Sequence, residues 1–340
     1  MCRTVTQVLT CIPLLLQIQG MTIRFRLTRV GRSVALTLLT VFTAACASST
    51  GPGGGGGSTD YELELRWLGT APTGATLASF EGAATTIRTT ITGALPPVSI
   101  PGSFTNVSQC DASLTGFPNV PRDPIQGLVI YIRVQPIDGV NGTLGSAGPC
   151  LVRGAAQDNL PALGVMRLDE ADVASLQSAG RLQTVVLHEM LHVLGFGTIW
   201  TDNALLDTTV LTDARFLGAG ARAACADLHG GGANCATTVP VHSADGVGSK
   251  YSHWRESLFT NELMTPFLTA GSTPLSAMTV RSLGDLGYVV STDAAQPYTV
   301  SGTFLQSAIL ADSPPIRFAT PTRPRYQVTD RGELVPFRQR

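Results

Sequence analysis

The sequence predicts an α+β fold: an N-terminal twisted β-sheet with a backing helix and a further helix, then a loop-rich subdomain with one helix. Three observations predict it. Strand-like segments cluster before residue 170, two helical periodicities interrupt or follow them, and Gly and Pro are abundant at 36 and 21 of 340 residues. Their usual combined share is about 12%, so short strands and loops are favoured over a helical bundle. Hydrophobic residues at 44% supply a sizeable core and exclude general disorder. A net charge of -1 with 14% charged residues argues against a broad nucleic-acid footprint. Mean hydropathy is +0.20, yet no run of about 20 apolar residues suits a membrane-spanning helix.

The first 59 residues read as an address and a spacer. Arg24, Arg26, Arg29 and Arg32 form a positive region ahead of an apolar stretch from Val34 to Phe42, the pattern of a secretory signal. Met21 is the expected true start, upstream of this pattern. Thr43-Ala44-Ala45-Cys46 resembles the lipobox of bacterial lipoproteins, which implies a lipid anchor on Cys46 and a place in the cell envelope. Ordinary cleavage and secretion are the alternative, since Ala45-Cys46-Ala47 also suits a signal peptidase. The Gly-rich run to Thr59 is a flexible linker.

The folded region opens with Tyr61 to Leu68, where apolar and polar residues alternate as in a half-buried strand. Leu77, Phe80, Ala84, Ile87 and Ile91 recur at helical spacing, and Gly93 with Pro96-Pro97 ends that helix. Gly127 to Val134 is a β-branched strand, and Gly164 to Leu168 a shorter one read as a sheet edge. A helix from about Arg181 to Leu194 stops at Gly195. Residues 196–250 read as loop-rich, Ser276 to Leu286 as a helix stopped by Gly287. The tail after about Ser313, rich in Pro and Arg, reads as extended or loosely attached. The expected organisation is 1–45 signal region, 46–59 anchor and linker, 60–312 folded domain with subdomains meeting near 195, and 313–340 tail.

Seven cysteines are present. Cys2 and Cys11 precede the expected start and Cys46 is the anchor. Cys110, Cys150, Cys225 and Cys235 remain, an even number that suits an oxidising compartment. Four cysteines allow three pairings; chain order suggests Cys110–Cys150 and Cys225–Cys235.

The chemistry concentrates at His188-Glu189-Met190-Leu191-His192. Two His at i and i+4 stand one above the other on a helix face, so both imidazoles reach one ion. Glu189 can reach a water on that ion without ligating it, the H-E-x-x-H arrangement of zinc peptidases. A shuffled chain of this composition would hold about 0.002 such matches. Catalytic zinc takes three protein ligands and leaves a fourth position open. Gly195 stands where a helix-ending turn is needed, but the position six after His192 is Thr198, so the third ligand lies elsewhere. His229, His242 and His253 remain.

His253-Trp254 precedes Asn261-Glu262-Leu263-Met264, and here the chain resembles the leishmanolysin (peptidase M8) family of metzincins. The resemblance rests on His188, Glu189, His192, Leu194, Gly195, Phe196, His253, Trp254, Glu262, Leu263 and Met264, with Gly145 to Cys150 before and Leu283 to Tyr288 after. It implies a metzincin-type zinc peptidase fold, one catalytic Zn²⁺ on His188, His192 and His253, and Glu189 as general base. It also implies a Met-turn whose Met264 forms an apolar floor under the imidazoles. The implied activity is extracytoplasmic endopeptidase cleavage of protein or peptide substrates by a zinc-held water. A non-catalytic surface-binding lipoprotein on the same scaffold is the alternative, and a structural zinc closed by a fourth ligand is a third reading. Eukaryotic members carry a pro-segment Cys that caps the zinc. This chain has no Cys between Cys46 and Cys110, so that latch is not expected.

Overall fold

The alternating segment and the β-branched segment become neighbouring strands. The structure, a computed structural model, describes residues 60–115, 120, 123–140, 142–228, 235–244, 249–269, 271–300, 316–318 and 321–339. The signal region, Cys46, the linker and His229 lie outside the described residues. In chain order the elements are β1 (Leu63–Trp67), α1 (Gly74–Thr90), β2 (Leu128–Gln135), β3 (Gly145–Val152), β4 (Pro161–Asp169), α2 (Glu170–Ser178) and α3 (Leu182–Val193). They continue with β5 (Leu206–Asp207), β6 (Arg215–Phe216), α4 (Ala219–Leu228), β7 (Val239–Pro240), α5 (Glu256–Phe259), β8 (Phe267–Leu268), α6 (Ala277–Asp285), β9 (Ile316–Arg317), β10 (Tyr326–Val328) and β11 (Leu334–Pro336).

The main sheet has the order β1-β2-β4-β3-β10-β11. β1, β2 and β4 are parallel, with α1 crossing over between the first two. β3 runs antiparallel to β4. Both sheet faces are covered, which is why β2 reads as a continuous apolar run. On one face Leu63, Ile130, Ile132 and Met166 meet Phe80, Ala84 and Ile87 of α1 and Val186, Met190 and Val193 of α3. On the other, Val129, Tyr131, Leu163 and Val165 meet Ile100, Phe104, Val107 and Leu114 from the segment before β2. The Cys110–Cys150 disulfide fastens that segment to β3, and Cys225–Cys235 closes the second bridge. Among the described residues no helix is long and apolar enough to cross a membrane.

Two close approaches bring α3 down onto β4 and β3 against β4. A β-carbon at Gly164 would lie 2.3 Å from Val193 Cγ1, and one at Gly145 would lie 2.8 Å from the Arg167 carbonyl oxygen. Glycine at both positions lets the helix and β3 pack backbone-close. Every residue of α3 except Gln183 and Thr184 is buried, the pattern of a helix enclosed on all sides.

Three expectations are corrected. The strand at 164–168 is not an edge: β4 lies between β2 and β3. The chain after 195 has more than the one expected helix: α4 and α5 precede α6, and α4 is hidden by its small residues and by a remote cap, since Asp285 accepts from the Gly220 and Ala221 N–H groups at 2.8 Å each. The tail is attached: β10 pairs in parallel with β3 and β11 antiparallel with β10, while β9 pairs with β8. Its prolines erase periodicity but are tolerated in short strands at a sheet margin.

Candidate metal centre

α3 carries His188 and His192 one turn apart, both fully buried. The helix ends at Gly195, whose φ is 107°. The Phe196 N–H donates to Leu191 O at 3.1 Å and the Gly195 N–H to His192 O at 3.1 Å, the paired bonds of a Schellman C-cap. Thr198, which stands where a compact motif would have a third His, donates its hydroxyl to His192 O at 3.0 Å. It therefore helps terminate the helix.

His253 arrives from a distant loop, and a second glycine makes room for it. Gly197 has φ 73°, and a β-carbon there would lie 2.2 Å from the backbone oxygen of Ser252. The segment is fixed from three further sides. The His242 N–H donates to His253 O at 2.9 Å, the Trp254 N–H to Met264 O at 2.9 Å, and Trp254 Nε1 to Thr279 Oγ1 at 2.8 Å. The Trp254 ring packs edge-on against Phe196 at 5.0 Å.

The three Nε2 atoms converge: His188 to His253 is 3.2 Å, and His192 lies 3.1 Å from each. Each Nδ1 faces a backbone oxygen, Leu263 O for His188 at 2.7 Å, Phe196 O for His192 at 2.9 Å and Ser249 O for His253 at 3.1 Å. A carbonyl only accepts, so each neutral ring carries its proton on Nδ1 and presents a lone pair at Nε2. Three lone pairs at this spacing repel one another unless a cation lies between them. Imidazole nitrogens about 2.0–2.1 Å from a tetrahedral zinc stand roughly 3.4 Å apart, close to what is seen. Carbonyl bonds to the far ring nitrogen are also the usual support of metal-binding His. The residues fit a metal ion, and the group His188, His192 and His253 could hold one.

Burial, reinforced by the neighbouring rings, holds His188 well below the ordinary imidazole value, against the pull of the Leu263 carbonyl. Burial brings His192 down to about 4, with the Phe196 carbonyl opposing. His253 is lowered by burial and by His192, with the Ser249 carbonyl opposing. Neutral rings are the metal-binding form. Glu189 is 1% exposed, its Oε1 lacks a hydrogen-bond partner, and burial pushes its carboxyl up to about 8. A buried carboxylate oxygen without a donor calls for a water or cation.

Met264 is fully buried in the turn that follows His253. Glu262 organises that turn: its carboxylate accepts from the Met264 N–H at 2.6 Å, from the Ser276 hydroxyl at 2.6 Å and from the Thr279 hydroxyl. The turn links the ligand-bearing segments, because Leu263 O orients His188 while Met264 O holds Trp254 beside His253. His242, also considered as a ligand, is buried near Phe267 at 6.4 Å between ring centres and is not part of the three-His group. Sequence reasoning missed Gly197, the three supporting carbonyls and Phe318, whose ring stacks on His188 at 3.5 Å with 7° between planes. Only Gly197 left a signal, as the second glycine of Gly195-Phe196-Gly197.

Three buried imidazoles sharing one focus form a group that could hold a metal ion. The family comparison gives the class of protein: the model of the leishmanolysin family, peptidase M8, matches residues 120–300. That is more than half of the chain, and the chain belongs to this family of metallopeptidases. None of the curated proteins compared matches it. The mixed α+β architecture with its mostly parallel sheet fits the metzincin type.

Proposed function

We propose that the protein is a zinc-dependent endopeptidase in which His188, His192 and His253 hold the metal and Glu189 is the general base. The observation that carries this reading is the convergence of three Nε2 lone pairs within 3.2 Å, with Glu189, the residue after His188, buried and one carboxyl oxygen unpartnered. Zinc, when bound, would supply the positive charge that acidifies a water and polarises a peptide carbonyl. Glu189 removes a proton from the attacking water, whose oxygen bonds to the carbonyl carbon. The same carboxyl then returns the proton to the departing amide nitrogen as the C–N bond breaks. Leu263, Phe196 and Ser249 carbonyls keep the three rings in the ligating tautomer throughout. Met264 serves as the apolar floor of the site. Among the described residues no Cys or carboxylate completes a fourth ligand to the group, and the four described cysteines are in disulfides. Both facts favour an open catalytic position over a closed structural one.

The signal-like segment from Met21 and the Cys that follows it support export and a lipid anchor on Cys46, with secretion as the alternative. Substrates are extended proteins or peptides. The test combines metal analysis with cleavage of an unfolded protein by the parent and by Glu189→Gln. One zinc per chain in both, with turnover lost by roughly 100-fold or more in the variant, is the expected result. Near-normal turnover by the variant removes Glu189 from the mechanism.

A further inference from the structure

We propose that the C-terminal chain, through Phe318 and residues 321–328, is an internal inhibitor that covers His188. The proposal rests on the peptidase reading for the identity of what is inhibited, and on separate contacts for the closure. A peptidase must admit an extended chain to its metal, and an exposed strand edge is the general means of holding one. β3 is the strand that leads there: a β-carbon at Gly145 would come within 3.5 Å of Glu189 Cγ. Its outer edge would be free if the sheet ended at β3.

The tail takes that edge instead. The Thr322 N–H donates to Ala147 O at 2.8 Å and the Arg325 N–H to Cys150 O at 3.0 Å. Beyond them, Tyr326 stands opposite Leu151 and Gln327 opposite Val152 in the parallel pairing of β10 with β3. The fit is close enough that a β-carbon at Gly148 would sit 1.9 Å from Thr322 O. Upstream, the segment is fastened to the other wall. β9 pairs antiparallel with β8, and the Phe318 N–H donates to Pro266 O at 3.2 Å, two residues past Met264. Arg323 adds an ion pair with Asp202 at 2.9 Å. The described tail residues are therefore fastened both at the turn after Met264 and at β3, and the Phe318 ring lies flat on His188. Phe318 is 4% exposed, and the three imidazoles beneath are wholly buried. No side chain of the described tail ligates the His group, so closure is by occupation of the cleft, and no Cys is involved.

The test uses the zinc-loaded full chain and two single variants, Phe318→Ala, which removes the stacked ring, and Thr322→Pro, which removes the N–H that Ala147 accepts. The probe is a dipeptide hydroxamate, which chelates zinc through two oxygens, measured by calorimetry beside cleavage of an unfolded protein. Release of a tail that occupies the cleft most of the time is expected to tighten hydroxamate binding about tenfold in both variants, with cleavage rising in proportion. A synthetic peptide of residues 316–328 is expected to reverse both gains. Equal or weaker hydroxamate binding by both variants overturns the proposal. Tighter hydroxamate binding with no cleavage by any form leaves the tail as the closure and sinks the peptidase reading instead.

Discussion

The chain before Gly195 and the chain after it reach the same metal centre by different physics. The first half positions His188, Glu189 and His192 through regular structure: a buried helix set against a sheet whose faces are both packed. The second half positions His253 and Met264 in loops, fastened by named hydrogen bonds to one another and to the start of α6, with Trp254 and Met264 buried in the shared core. Apolar area is non-directional and tolerant in detail, whereas a loop held by single bonds and one glycine depends on each of them. Errors in the loop that carries His253 are therefore expected to act on the metal, and errors in the first half on global stability.

The largest effect is expected within the second half, at His253→Ala against His242→Ala. The first is expected to lower zinc affinity by well over the roughly 10–100-fold typical of lost supporting groups. The second is expected to leave affinity within a few-fold, as read by chelator competition. Equal losses would place the third ligand wrongly.

The next contrast sets glycine against glycine. Gly197→Ala puts a β-carbon onto Ser252 in a left-handed backbone and is expected to cost about 3 kcal/mol, together with a measurable loss of zinc. Gly164→Ala presses on Val193 and is expected to cost about 2 kcal/mol with zinc stoichiometry intact. Thermal unfolding and metal analysis on the same samples separate the two. If Gly164→Ala also sheds zinc, the halves are not energetically distinct.

Asp169 probes the first half alone. Burial would raise its carboxyl, but N–H groups of Ala171, Asp138, Gly139 and Ile137 outweigh this and hold it below the ordinary value. A depressed folded value means stability that is present above the unfolded value of about 3.9 and lost as pH falls through the folded one. Asp169→Asn is expected to cost roughly 2 kcal/mol at pH 7 and to flatten the acid limb of the stability curve below pH about 4. An unchanged acid limb would show that Asp169 carries no such linkage. Smallest is Thr198→Val, which removes one hydroxyl bond to His192 O and is expected to cost about 1 kcal/mol with zinc unaltered. Loss of zinc in that variant would make Thr198 part of the metal site.

Legibility in the sequence followed the same divide. β1 and α1 are readable because burial imposes a period on their side chains, as at Phe80, Ala84 and Ile87, whereas β2 and α3 are readable as apolar runs. β3 hid because Gly145-Ser146-Ala147-Gly148-Pro149 has neither bulk nor alternation. The strand at 161–169 was found, but its place inside the sheet depends on a pairing that no local pattern encodes. His188 and His192 were readable from spacing alone. His253 was separable from His229 and His242 only through family resemblance, since its position comes from Gly197, Trp254 and Met264 acting across the fold. The supporting carbonyls of Leu263, Phe196 and Ser249 belong to the backbone, which every residue shares. Phe318 stood in a stretch whose prolines suggested no docking.

The room that Gly197 leaves for Ser252 also separates ligand placement from the length of the excursion before it. Chain that departs after Thr198 returns to a point already fixed by Gly197 and by the Val241–Trp254 bridge. Lengthening a connection between anchored ends changes closure entropy only logarithmically, by about 0.6 kcal/mol per doubling. Insertions among the exposed residues 209–212 can therefore be accommodated while the imidazoles keep their mutual distances.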